Sequence, residues 1–481
     1  MRAVTVPKEA QALVENVRRL SGKIGGFTSA HAPYFDTLYL LFALGLISAV
    51  WFESDTYRYA GLIFALVGLT HYYLKPDRPS IGLMAHICVA WAICVGLRIA
   101  YTFVFHREMG IGSSEGIYLL PILYSTLGYT FLVFIRRPFV LILAFACISF
   151  LVVAASFDAS ALQSGQRAWF GLHHNPIHAA VGTGMIVLCM LPFAHEVMRR
   201  KNLRPALRRG LAAMAIVTFL LGIVNVYGLQ SKGVWLSLAV ALPLQAILLI
   251  ALSHSRAGLY VMLGCIVAAG ILVALLGDGM QSVADDTFNA TLRLAADIGN
   301  GGGFMESMAR AIDDPSAPQG FRERLMLWAS ALEIVGRAPL FGNGVAWLHF
   351  WQDRAYPQTD FNLLHNGYLE IAIRYGIAGL VFYFALFVWA VRCVWRAYRR
   401  GLVPAAAVQC YISLLVFFAM TITNNSNVRL AIGESFMWCA ASFAFYCHFL
   451  MQEVDTGKNR YMFLPKPEAP DQHEAKQRLP A

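Results

Sequence analysis

Two short groups of residues have the types and spacing for chemistry. His365 and Asn366 stand directly before a long apolar run, and upstream of them Arg322, Arg324 and Trp328 share one short stretch. An imidazole at a helix N-terminus feels the positive end of the helix dipole, which disfavours protonation and leaves the ring able to accept a proton. Such a histidine is suited to taking the proton from an attacking hydroxyl. Arg324 and Trp328, four residues apart, share a helix face, and arginine presents a flat fork of donors that matches phosphate oxygens. Basic residues, a histidine and a helix N-terminus brought together suggest a site for an anionic substrate. Plainer readings use the same residues: an interfacial histidine with Asn366 as helix cap, and arginines snorkelling from an interfacial helix, which would suffice for Arg322.

The elements that must position these groups lie between Phe321 and Leu380. Leu325, Trp328, Leu332 and Val335 recur at helical spacing, so the first part is an amphipathic helix lying against something apolar. Pro339, Gly342 and Gly344 end it in a turn. A polar, aromatic linker follows, and His365 then opens a long apolar helix.

Composition gives the setting. Of 481 residues 58% are hydrophobic and 14% charged, with a mean hydropathy of +0.56. Soluble proteins carry about 25% charged residues, so this reads as a polytopic membrane protein. The net charge of +10 fits loops that face anionic headgroups better than nucleic acid. The nine cysteines form no C-x-x-C pair and read as small buried hydrophobes. Residues 1–34 contain no signal-peptide core, so the first span is expected to act as an uncleaved anchor.

About twelve apolar spans are expected, near 36–52, 58–74, 82–105, 117–135, 138–156, 177–195, 210–228, 234–252, 257–277, 366–392, 404–422 and 432–450. Lysine and arginine collect in alternate connections: Lys75 and Arg78, Arg136 and Arg137, Arg199 to Arg209, and Arg392 to Arg400. That asymmetry makes these connections cytoplasmic and leaves both termini inside. The expected organisation is a cytoplasmic segment 1–34, helices over 35–277, a large periplasmic loop 278–364 holding the amphipathic helix, helices over 365–452, and a disordered cytoplasmic tail 453–481. The large loop has eleven acidic and six basic residues, unlike the inside connections. A loop of this length is usually functional, and a flexible start is expected around Gly299–Gly303.

The R-x-x-x-W helix, the P-L-F-G-x-G turn and the H-N-G-Y-L-E segment with its following G-I-A-G-L resemble the bacterial O-antigen ligase and polymerase superfamily. The resemblance implies an integral membrane glycosyltransferase that uses undecaprenyl-pyrophosphate-linked glycans. It implies His365 as the catalytic residue and favours Arg324 over Arg322 as a pyrophosphate ligand. The segment Gln230-Ser231-Lys232-Gly233-Val234-Trp235-Leu236 is similar to the family's S-R-G-x-W-L, with Lys232 where the family has arginine. Lysine keeps the charge and loses the bidentate geometry. Ser255-Arg256-Ala257-Gly258-Leu259 is a closer literal match, but by the span count it falls on the cytoplasmic side. Were that count off by one, Arg256 would replace Lys232. The Asn175-Pro176-Ile177-His178 segment resembles the family's Gly/Asn/Pro segment, which makes Arg167 and Asn175 possible substrate contacts.

Metal readings are weaker. His173, His174 and His178 have no partner carboxylate nearby, and transition-metal sites need three or four convergent ligands, so they read as interface residues. Glu53 and Asp55 could bind a divalent ion, although a solvated acidic loop accounts for them. The resemblance implies work without metal or cofactor. No P-loop and no G-x-G-x-x-G is present, so the energy must arrive with an activated substrate.

The reading is therefore an all-α, polytopic, multi-pass protein of the bacterial inner membrane with its active site facing the periplasm. Its expected activity is that of an inverting, metal-independent O-antigen ligase that moves a lipid-linked glycan to lipid A-core oligosaccharide. The catalytic residue is His365; Arg324, Lys232 and Arg167 hold pyrophosphate; Asn366, Trp328 and Asn175 support them. Within the superfamily the alternatives are a polymerase and a protein O-oligosaccharyltransferase. From a different class, a lipid-linked glycan flippase would require more charge within the spans than the sequence offers.

Overall fold

The computed structural model describes residues 32–457, apart from 76, 110–112, 170–172, 360–362 and nearly all of 253–276. It is all-helical, with 80% helix. In chain order the helices are α1 (Ala32–Ile47), α2 (Thr56–Leu74), α3 (Gly82–Phe105), α4 (Pro121–Phe134), α5 (Pro138–Ala155), α6 (Ala159–Ser164), α7 (Pro176–Arg199), α8 (Pro205–Gly228) and α9 (Lys232–Leu252). They continue as α10 (Gly277–Gly299), α11 (Phe304–Asp313), α12 (Gln319–Arg337), α13 (Trp347–Phe350), α14 (Gly367–Arg399), α15 (Ala405–Thr421) and α16 (Ala431–Asp455).

Each expected span coincides with a helix except the ninth, which falls almost wholly outside the described residues, as does Arg256. Among the described residues six helices, α3, α5, α7, α8, α9 and α14, are long and apolar enough to cross a membrane, and three shorter apolar helices accompany them. Large apolar side chains such as Leu97, Leu151 and Ile247 stay exposed along them, as a lipid-facing surface requires. Proline opens α4, α5, α7 and α8, where its missing N–H costs nothing. The central helix is α7: 83% of its apolar window is buried, against 17% for peripheral α5. It packs on α8, α9 and α15, while α16 packs on α4 and α14.

Helices α10 to α12 lie within the stretch expected to be one long loop. They form a small body with its own core of Met308, Ile312, Leu325 and Ala329. The apolar stripe of α12 therefore faces protein: Leu327, Ala331 and Ile334 pack with Trp347, Trp351, Leu364 and Ile373.

The joint between this body and the bundle is a break in α14. Gly376 has φ 59° and ψ −154°, so the helix stops and restarts there. A break strands backbone groups on both sides of it, and the P-L-F-G-N-G turn takes them up. Ile377 and Ala378 donate to the carbonyls of Pro339 (2.9 Å) and Leu340 (3.0 Å), and the freed Ile373 carbonyl accepts from Asn343 N (2.9 Å). Backbone meets backbone so closely that a Cβ on Gly376 would lie 2.5 Å from the Pro339 oxygen, and one on Gly342 would lie 2.3 Å from the Arg374 carbonyl carbon. Arg98 of α3 clamps the outside of the turn, donating to the Phe341 (2.6 Å) and Gly342 (2.5 Å) carbonyls. This docking holds α12 against the upper part of α14.

Candidate active site

His365 sits in the tight turn before α14 with φ 49°, a left-handed conformation that is costly for a residue with a side chain. Neighbouring groups hold it there. Asn366 is the helix N-cap, accepting from the N–H of Tyr368 (3.0 Å) and Leu369 (3.1 Å). Gly367 N donates to the Ile422 carbonyl at 2.7 Å. Both polar groups of the buried Leu364 peptide are taken by side chains: its carbonyl accepts from Trp328 Nε1 at 2.9 Å, and its N–H donates to Glu370 Oε1 at 3.0 Å. Trp328 is thus the bolt between α12 and the histidine turn. Asn366 does serve as the cap of the plainer reading, and that role is part of what orients His365.

Burial, and then the nearby Arg324 charge, hold His365 below the ordinary histidine range, against weaker opposing pulls from Glu370 and Glu323. The imidazole is consequently neutral at pH 7. Arg324 lies one turn before Trp328 and is half-buried; burial lowers its pKa, and among the described residues it makes no ion pair with a carboxylate. A half-buried guanidinium that no carboxylate pairs with among the described residues, next to a neutral imidazole, is chemically fitted to an anionic ligand.

Beneath the turn lies an ion network. Glu370 Oε2 accepts from Arg374 Nη1 (2.6 Å) and Arg429 Nη1 (3.0 Å), and Glu370 Oε1 from Ser426 Oγ (2.9 Å). Arg374 Nε reaches Glu115 Oε1 at 2.8 Å, Tyr375 OH donates to Glu115 Oε2 at 2.6 Å, and the Arg374 guanidinium stacks over Trp347. The side chains of Arg374 and Glu370 are both 0% exposed and that of Glu115 is 3% exposed. Removing one partner of such a pair costs about 3–5 kcal/mol. Glu370 and Arg374 stand out in the sequence as ionisable residues inside an apolar run, whereas Glu115, Ser426 and Arg429 do not. Their one signal is that they are charged or polar residues at the ends of apolar runs.

A second group of candidates lies across the 422–430 connection. Lys232, the first residue of α9, is exposed, and its Nζ donates to Thr287 Oγ1 of α10 at 2.9 Å. Arg167, also exposed, donates from Nε to the Leu229 carbonyl at 2.8 Å; partial burial lowers its pKa. Ala168 N to Gly228 O (2.8 Å) and Gln230 Nε2 to Gly165 O (3.0 Å) tie the two loops, so Arg167 and Lys232 stand on adjoining segments. The connection 422–430 joins the groups: Asn424 lies against Gly233 on one side, and Ile422 and Val428 lie against Gly367 on the other. Asn175 is the N-cap of α7, its Oδ1 accepting from Ile177 N at 2.8 Å.

Two sequence-based readings need correction. The α7 histidines do have a carboxylate at hand: His178 Nδ1 lies 3.1 Å from Glu53 Oε1, although the residues are far apart in the chain. Glu53 and Asp55 do not act as one acidic pair: exposed Asp55 bonds Arg58 at 2.8 Å, while half-buried Glu53 turns to His178. Of the three histidines read as interface residues, His173 and His178 are buried, at 4% and 8% exposure, and His174 is exposed. Arg58 also pairs with buried Glu434 (2.7 Å), an ion pair between the first turns of α2 and α16 that the sequence left unnoticed.

Below the histidine turn, α14, α15, α16 and the segment before α4 enclose an apolar groove of about 700 Å³. Tyr368, Ile422 and Val428, which surround the turn, form part of its wall, and Ile371, Phe384, Tyr411 and Met437 line it further along.

Residues 217–384 match the family model described as O-antigen ligase. The match supports the O-antigen ligase and polymerase superfamily, whose members are membrane glycosyltransferase-like ligases and polymerases. It includes Lys232, Arg324, Trp328, His365 and Asn366, and it leaves out Arg167 and Asn175. Together with the apolar helices it identifies a multi-pass membrane protein. No curated protein matches the chain.

Proposed function

We propose that this protein is an O-antigen ligase, moving a glycan from undecaprenyl pyrophosphate to lipid A-core oligosaccharide on the periplasmic side of the inner membrane. The observation that carries the reading is the neutral, turn-locked His365 beside half-buried Arg324, inside the segment matched by the family model. In this reading the donor's polyprenyl chain lies in the groove that begins at Tyr368. Its pyrophosphate meets Arg324, with Lys232 and Arg167 as outer cations.

A hydroxyl of the acceptor attacks the anomeric carbon as its proton passes to the His365 imidazole. The bond from that carbon to the phosphate oxygen breaks, and undecaprenyl pyrophosphate departs carrying the electron pair. Arg324 stabilises the charge that grows on it, the larger electrostatic task. Direct displacement inverts the anomeric centre. The side chains supply the positive charge, so the mechanism asks for neither metal nor cofactor.

Purified protein given undecaprenyl-pyrophosphate glycan and each of three acceptors tests this. Lipid A-core product is expected. A product made only from a second lipid-linked repeat would make the protein a polymerase, one made only on a polypeptide would make it a protein glycosyltransferase, and movement of glycan without a new bond would make it a flippase.

A further inference from the structure

Glu370 makes no sense as a helix cap. The first N–H groups of α14 are already satisfied, by Asn366 for Tyr368 and Leu369 and by the Ile422 carbonyl for Gly367. The carboxylate instead reaches back past the cap to the N–H of Leu364, the residue before the catalytic candidate. Nor is it free to exchange a proton with substrate. Its two oxygens accept four bonds, from Leu364 N, Ser426 Oγ, Arg374 Nη1 and Arg429 Nη1, which is all a carboxylate can take. Glu370, Glu115, Arg374 and Arg429 are two acids and two bases, so the cluster is balanced and offers no net charge to a phosphate. What remains is mechanical: a left-handed residue persists only where its surroundings over-determine it. Here one carboxylate joins the turn, the α14 helix and the α15–α16 connection.

We propose that Glu370 is a positioning residue for the transfer reaction, fixing the peptide before His365 so that the imidazole faces the attacking hydroxyl. The inference rests on His365 being the base. Charged groups facing that imidazole are Arg324 and Glu323 from α12 and Glu370 from α14, with Arg374 and Arg429 behind the last.

The test compares Glu370→Gln, Ser426→Ala and His365→Ala as purified full-length protein, measuring kcat, donor KM and the pH profile. Glutamine keeps an acceptor for Leu364 but not the ion pairs. Glu370→Gln is expected to lower kcat at least tenfold with donor KM within twofold of the parent. Its acid limb should move to lower pH, since the carboxylate's field favours the protonated imidazole. Ser426→Ala removes one bond and keeps the charge, so a two- to fivefold loss in kcat is expected with the acid limb unmoved. Parent-like kcat in Glu370→Gln, or a loss in kcat matched by an equal rise in KM with no movement of the acid limb, would overturn the proposal. If Glu370→Gln fails to fold, Ser426→Ala decides, and parent-like kcat there sinks the idea. An active His365→Ala would instead sink the reading of His365 as base; an inactive one beside parent-like Glu370 variants sinks this inference alone.

Discussion

The two ends of the candidate site are built to different standards. Around His365 and Arg324, buried ion pairs, a tryptophan bolt, a helix cap and a backbone-to-backbone joint hold the turn and the helices beside it. At Lys232 and Arg167, exposed side chains are each held by one hydrogen bond to a threonine or a carbonyl. The first corner is organised before substrate arrives, which suits groups that must act on a transition state. The second can move with a ligand, which suits contacts with a long, variable glycan-lipid donor. The difference teaches that cationic residues on the same side of a bundle need not share a job.

The sharpest way to break the comparison is at His365, the proposed base. His365→Ala should abolish measurable transfer, since general-base assistance contributes about 10²–10⁴-fold, while donor binding survives because a neutral imidazole does little to hold an anion. Substantial transfer by His365→Ala on the same donor and acceptor would leave the residue a structural turn. Next comes Arg324→Ala, which should weaken donor binding and turnover together. Arg324→Lys should recover only part of both, for want of the planar fork; full recovery would show that charge alone matters there.

Trp328→Phe keeps the ring and removes the N–H that holds the Leu364 carbonyl. A lost hydrogen bond of about 1 kcal/mol corresponds to roughly fivefold in rate, read in kcat at unchanged donor KM. At the loose corner the effects should be smaller. Lys232→Ala should weaken donor binding by less than about fivefold, as exposed ionic contacts do, and Lys232→Arg should match the parent. A Lys232→Ala loss as deep as that of Arg324→Ala would erase the contrast. Excess chelator should change nothing; activity lost in chelator and restored by Mg²⁺ would return attention to the loop of Glu53 and Asp55.

Much of the tight corner could be read from the chain because its parts are local. R-x-x-x-W, P-L-F-G-N-G, H-N and G-I-A-G-L each announce themselves by type and spacing. The clasp around them could not. Glu115 lies 259 positions from Arg374 and Ser426 lies 56 from Glu370, and no periodicity reports a contact at that range. The left-handed turn at His365 was equally hidden, since only glycine or asparagine would have advertised it. The helical body of α10 to α12 was half legible: the α12 stripe showed a helix, but not that protein rather than lipid would cover it.

The break at Gly376 has a mechanical meaning. It divides α14 into a short piece, 367–375, and a long apolar piece, 377–399, and the turn at 338–344 grips both, the first through the Ile373 carbonyl and the second through the Ile377 and Ala378 N–H groups. Membranes differ in thickness, and a long helix answers mismatch by tilting. Because the turn holds both pieces by their backbones, the break is a staple and not a loose hinge, and a tilt of the long piece carries the turn and α12 with it. The candidate corner is in this way geared to the inclination of the long helix.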